Sequence, residues 1–179
     1  MRIRSNQHTM DDLLKLEQAQ QWLGELPILI DDERKMTISA LRAKALRCAK
    51  KFDAAGTPIG LVVVDYLQKI RGRELVSKND TRATEIEKIS EAAFHLSEDL
   101  GCSVLMLAQE NAAGQVRESR GAEFEATCVW QMRGAKQGDG AERSIEINIP
   151  KQRKGPTPAK AFAHFYPQFG RFTSREEWQ

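Results

Sequence analysis

The chain has 179 residues, 41% of them apolar and 29% charged, with a formal net charge of +2. That is the composition of one ordinary globular domain, and it excludes a disordered or strongly polybasic chain, so any contact with nucleic acid has to come from local basic patches. Cys48, Cys102 and Cys128 stand far apart in no paired spacing, which argues against a zinc site or a disulfide frame and for free thiols in a reducing compartment.

In chain order, residues 9 to 24 read as a helix, with Leu13, Leu14, Leu16 and Leu23 among polar residues and Gly24 near its end. "LPILIDD" then predicts a short apolar strand over Pro27 to Ile30. "TISALRAKALRCAKKFDAAG" predicts an amphipathic helix whose face carries Ile38, Leu41, Ala45, Leu46 and Ala49, with Gly56 beyond its end. "LVVVD", residues 61 to 65, predicts a strand, followed by the polar, basic loop "RGRELVSKND".

Ile86, Ile89, Ala93, Leu96 and Leu100 recur at helical spacing before Gly101, which ends that helix. "CSVLMLAQ" is a second apolar strand, and "ENAAGQVRESRGAE" is a long polar loop. "TCVWQM", "SIEINIP" and "AFAHFY" are three further strand candidates, the first two joined by the turn-rich "RGAKQGDGAER". No repeat, low-complexity linker or second domain stands out.

Strand and helix alternate in the first half, and the strands there lack a two-residue period. That pattern predicts an α/β fold with parallel strands covered on both faces by helices, and antiparallel strands toward the C-terminus. No apolar run approaches the roughly 20 residues of a membrane span, and the N-terminus lacks the apolar segment of a secretory signal, so a cytoplasmic location is expected. His8, His95 and His164 are scattered and read as ordinary packed or surface residues.

Three stretches carry candidate chemistry. In open α/β sheets the ligand crevice lies beyond the carboxyl ends of the strands, where Asp65 would emerge. A carboxylate there suits a magnesium ion that neutralises phosphate charge, although a simple turn aspartate fits the same five residues. Gln109 would reach the same rim if its strand is parallel and adjacent, and its amide could hydrogen-bond a terminal phosphate or an attacking water; an inconsequential loop residue is the alternative. In "PKQRKGPT", strand alternation puts Lys151 and Arg153 on one side and Gln152 on the other, an arrangement suited to phosphate; a solvated basic turn is the alternative.

"LVVVDYLQKIRG", "SVLMLAQEN", "VRESRGAEFE", "INIPKQRKGPT" and "FYPQFGRF" occur in that order. Together they resemble the C-terminal motor domain of the DnaB-type replicative DNA helicases, a hexameric RecA-like family, with "DYLQ" and "KQR-x-GPT" the specific pieces. The resemblance implies an ATP-dependent DNA helicase with a RecA-like, mostly parallel sheet flanked by helices, spanning 1–179 as a partial domain. By that resemblance Asp65 is the Walker B aspartate acting on Mg2+, and Gln109 senses the phosphate of ATP. Arg153 is the arginine finger reaching a neighbouring subunit's γ-phosphate, with Lys151 beside it. Arg117, Glu118 and Gly121 fall in the loop that contacts single-stranded DNA. The implied partners are a ring of like subunits, single-stranded DNA, and a primase or loader in an intact version.

One part of the family's machinery is missing from these residues. The sequence contains no G-x-x-x-x-G-K-[ST], whose backbone N–H groups and lysine cradle the β- and γ-phosphates. In the family that loop and the water-activating glutamate lie upstream, so an incomplete core with unpaired strand edges is expected, and the isolated chain is expected to hydrolyse no ATP. "ENAA" also stands where the family usually has Asn-Arg after the sensing glutamine. Two other readings compete: a non-catalytic DNA-binding or ring-docking module of a helicase assembly, and a recombinase-type RecA relative. "DYLQ" and "KQR-x-GPT" favour the helicase branch.

Overall fold

The computed structural model describes residues 9–110, 121–134 and 143–174, and of Ala122 only the backbone. Leu29–Ala126 form one unit, and the described residues on either side form a second.

In the unit spanning Leu29–Ala126, two helices line one face of a parallel strand pair. Helix α2 (Ile38–Ala54) starts where the Thr37 hydroxyl accepts the Ala40 N–H. Helix α3 (Arg82–Leu100) starts on Thr81 and stops at Gly101, whose φ of 62° is a left-handed conformation that glycine adopts without a Cβ clash. Strands β1 (Leu61–Val64) and β2 (Ser103–Met106) pair in parallel, with Val62 opposite Val104 and Val64 opposite Met106. Met36, Ile38, Val64, Leu67, Ile70, Ile86 and Ile89 form the core, and Val62 and Met106 pack against it. The parallel pairing and the two helices are as the sequence predicts.

Burial on both faces of the strands is not. Leu61 and Val63 are 51% and 54% exposed, while Val64 is buried. Because side chains alternate across a strand, Val62 and Val64 point at the helices, and Leu61, Val63 and Leu105 form an open apolar face. Three valines in a row are apolar on both sides and do not reveal that only one side is covered. The open face fits the incomplete core that the sequence predicts.

The segment after β1 is short-range structure pinned to its surroundings. Two 3-10 turns follow, Leu67–Lys69 and Arg73–Leu75, the second within the stretch read as loop. Arg71 exchanges backbone bonds with the entry to α2, donating to the Met36 carbonyl and accepting from the Ile38 N–H. The one-turn helix α4 (Ala122–Glu125) was not expected.

The other unit contains helix α1 (Met10–Glu25) and an antiparallel sheet in the order β3-β4-β5-β6. A capping box between Thr9 and Asp12 opens α1, and none of its residues is buried. The strands are β3 (Cys128–Gly134), β4 (Arg143–Gln152), β5 (Ala159–Tyr166) and β6 (Arg171–Ser174). The antiparallel C-terminal strands are as predicted, and β6, only four residues long, is an addition.

The predicted strand at Pro27 to Ile30 does not form. Ile28, Leu29 and Ile30 are 60%, 55% and 87% exposed. An apolar run becomes a strand only when another backbone meets its N–H and C=O groups, and among the described residues this segment has no ladder partner.

Candidate nucleotide-site rim

Asp65 directly follows β1 and is exposed, and Gln109 lies three residues beyond β2 and is also exposed. Because the strands are parallel and in register, both residues emerge at the same, carboxyl, ends. The pairing continues past the strand ends: Leu107 N–H donates to the Val64 carbonyl at 3.0 Å, and Leu67 N–H donates to the Leu107 carbonyl at 2.8 Å. Gln68, half-buried, then bonds the Gln109 backbone through its side-chain amide. The structure thus brings together two of the sequence-predicted residues, Asp65 and Gln109, on one rim.

The loop between Asp65 and α3 is held by a polar network that the sequence reading did not single out. Arg82 Nη2 donates to the carbonyls of Gln68 and Ile70, each at 2.9 Å. Its Nη1 lies 2.8 Å from Glu85 Oε2, and the Glu85 side chain has no exposed surface. Gly72 N–H donates to Glu85 Oε1 at 2.8 Å, and Arg73 Nε is 3.6 Å from Oε2. Burial pushes the Glu85 carboxyl up, but the Gly72 N–H and the Arg82 and Arg73 guanidiniums outweigh it and hold the carboxyl below the usual glutamate range.

Lys151 and Arg153 belong to the other unit. Lys151 pairs with Val129 near the end of β4, and just past the strand Arg153 N–H donates to the Thr127 carbonyl at 2.9 Å. Arg153 itself stands in the turn beyond β4, so the strand alternation predicted for residues 151 to 153 ends at Gln152. The amide of Gln152 occupies the space that a Cβ on Gly155 would fill, which gives that glycine a packing reason.

Of the three residues read as DNA contacts, Arg117 and Glu118 lie outside the described residues. Gly121 precedes α4 with ordinary dihedrals, and the Glu87 carboxylate stands where its Cβ would be. An added Cβ would displace that flexible side chain of α3, with no positive φ involved.

The profile of the DnaB-like helicase C terminal domain family matches residues 1–174. The chain belongs to this family. Among its curated DnaB relatives, the replicative DNA helicase DnaB of Rickettsia bellii is 38% identical over 98 residues, covering 55% of this chain and 18% of the relative. The replicative DNA helicase DnaB of Geobacillus stearothermophilus is 29% identical over 188 residues, covering 97% of this chain and 40% of the relative. This DnaB-like chain therefore spans less than half the length of these relatives. A solved DnaB-like replicative helicase, studied with its interactions with primase, superposes with a TM-score of 0.74 at 22% identity, covering 94% of this chain and 43% of that one. That likeness shows the DnaB-like fold, a RecA-like arrangement of helices and mixed sheets. Among the described residues no helix is long and apolar enough to cross a membrane.

Proposed function

We propose that residues 1–179 are a partial RecA-like motor domain of an ATP-dependent replicative DNA helicase, working in a ring of like subunits with ATP hydrolysed at their interfaces. The observation that carries this reading is the parallel register of β1 and β2, with Asp65 and Gln109 at the same strand ends.

Asp65 is the residue that would hold Mg2+, directly or through water. Among the described residues no three of His, Cys, Asp and Glu gather. Magnesium at a triphosphate needs no such cage, since it is bound by one or two carboxylates, water and phosphate oxygens, and an exposed carboxylate on this rim fits that donor set. When bound, the ion supplies charge neutralisation at the phosphates. Gln109, with an amide that both donates and accepts, suits sensing of the terminal phosphate.

Arg153, with Lys151 beside it, would reach the γ-phosphate of ATP held by a neighbouring subunit, where its fork of donors stabilises charge in the transition state. Arg117, Glu118 and Gly121 would meet the backbone of single-stranded DNA. A primase or loader is the further partner proposed for an intact assembly, and the cytoplasm is the proposed location. Without a phosphate loop in these residues, the isolated chain binds ATP poorly and hydrolyses none.

The test is DNA-stimulated ATP turnover by the chain expressed together with its upstream coding sequence. Turnover that Asp65→Asn abolishes supports the motor. A longer product with no phosphate loop, or with no turnover, defeats it.

The missing G-x-x-x-x-G-K-[ST] favours one second reading, a non-catalytic DNA-binding or ring-docking module that completes a partner's site through Arg153. Mixing the chain with an intact DnaB-type helicase would then change that helicase's ATP turnover, and Arg153→Ala would cancel the change. Absence of binding removes this reading.

A further inference from the structure

The two strand ends are joined by a side chain as well as by backbone. Gln68 presents both halves of its amide to one residue: Nε2 donates to the Gln109 carbonyl at 3.2 Å, and Oε1 accepts the Gln109 N–H at 3.3 Å. An amide facing a peptide group in this way copies the two bonds that a neighbouring strand exchanges.

Gln68 is itself held on the other side. Its carbonyl accepts from Arg82 Nη2, and the next backbone N–H before it, that of Leu67, donates to the Leu107 carbonyl. Arg82 is in turn set by the buried Glu85, which also accepts the Gly72 N–H. The segment that carries Asp65 is therefore fixed at both ends, to β2 and to the first turn of α3. Gln109, three residues beyond its strand, is tied to that segment by the Gln68 amide.

We propose that Gln68 is a positioning residue that sets the Gln109 backbone relative to Asp65 and passes a displacement of one strand end to the other. For what the Gln109 side chain would sense, the inference rests on the motor reading above; the clamp and its transmission do not depend on it. In that setting, a change at the carboxylate end of β1 reaches Gln109 through Gln68, and Gln109 responds as one unit with Asp65.

The test uses the full 15N-labelled chain without nucleotide. Gln68→Met fills similar space with no amide. It is expected to speed exchange of the Gln109 amide about tenfold, the effect of losing roughly one net hydrogen bond, while the Ile89 and Leu96 amides keep their protection. Unchanged exchange at Gln109 overturns the clamp.

Transmission is read by adding Asp65→Asn. This substitution is expected to move the Gln109 amide resonance in the wild-type background and much less in the Gln68→Met background. Equal movement in both, or none in either, overturns it. If Gln68→Met loses protection at Ile89, Gln68→Glu replaces it. That variant keeps an acceptor for the Gln109 N–H and loses the donor to its carbonyl. Its Gln109 exchange is expected to fall between wild type and free amide, and a wild-type rate sinks the proposal. Failure of ATP turnover by the chain expressed with its upstream coding sequence, with the clamp intact, would count against the motor reading alone, and turnover there with Gln109 uncoupled would count against the clamp alone.

Discussion

Arg82 and Glu85, three positions apart at the start of α3, meet with Nη1 2.8 Å from Oε2, and Glu85 has no exposed side-chain surface while Arg82 keeps 20%. This pair, and not the apolar core alone, holds the loop that follows Asp65. Arg82 caps two loop carbonyls and Glu85 takes the Gly72 N–H.

Glu85→Ala leaves the Arg82 charge in place without its carboxylate and the Gly72 N–H without its acceptor. Breaking one side of a buried pair costs about 3–5 kcal/mol, and the partial exposure of Arg82 puts the expectation at the lower end. Glu85→Gln keeps an acceptor for Gly72 and should cost less. Urea denaturation followed by circular dichroism measures both, and a shift of under about 0.5 kcal/mol for Glu85→Ala, the size of an ordinary surface substitution, would contradict the account.

The same carboxyl makes stability depend on pH. Its folded-state value is lowered, so its contribution is fully present above the unfolded-state value and is lost as the pH falls through the folded one. Stability should decline as the pH drops below the ordinary glutamate range, and Glu85→Gln should flatten that part of the curve. Denaturation midpoints across a pH series measure this; identical acid profiles for the two proteins would remove Glu85 as the cause.

Gly72→Ala should destabilise by crowding rather than by backbone strain. The φ of −141° at Gly72 is open to any residue. An added Cβ would come 2.8 Å from Cγ1 and 3.3 Å from Cδ1 of Ile89, which is fully buried. Overpacking of this kind costs about 1–3 kcal/mol. Because the clash is with one side chain, Gly72→Ala combined with Ile89→Ala should cost less than the sum of the two single changes, and strict additivity in a double-mutant cycle would refute the contact.

Arg153→Ala tests the proposed cation at the neighbouring subunit's phosphate. In an assembly that turns over ATP, the substitution should lower turnover by about 10³-fold or more, as loss of arginines acting across an interface does. Arg153→Lys should not restore it, since an ammonium lacks the planar fork. A near-normal rate in steady-state assays would remove Arg153 from the site.

Much of the rim was legible because the features that define it are local. Gly101, for example, marks the end of α3 by a left-handed conformation confined to one residue. The alternation of strand and helix predicted a parallel pair, and parallel strands necessarily send Asp65 and Gln109 out at the same ends. The Gln68 bond to Gln109 is not legible in "DYLQ", because its partner lies 41 residues away. The burial of Glu85 was not legible either, because it depends on the loop carrying Gly72 and Arg73, which folds onto the start of α3.

The sequence by itself determined the three long helices, most of the strands, the glycine stop of α3, and which end of β1 and β2 carries a polar residue. Those choices rest on interactions within one or two turns of chain. Tertiary structure alone decided that residues 27–30 have no ladder partner among the described residues, that β1 is covered on one face, and that a glutamine amide bolts the two strand ends together. Burial and pairing depend on what lies across from a residue in space, and an apolar run or a lone amide carries no record of its partner.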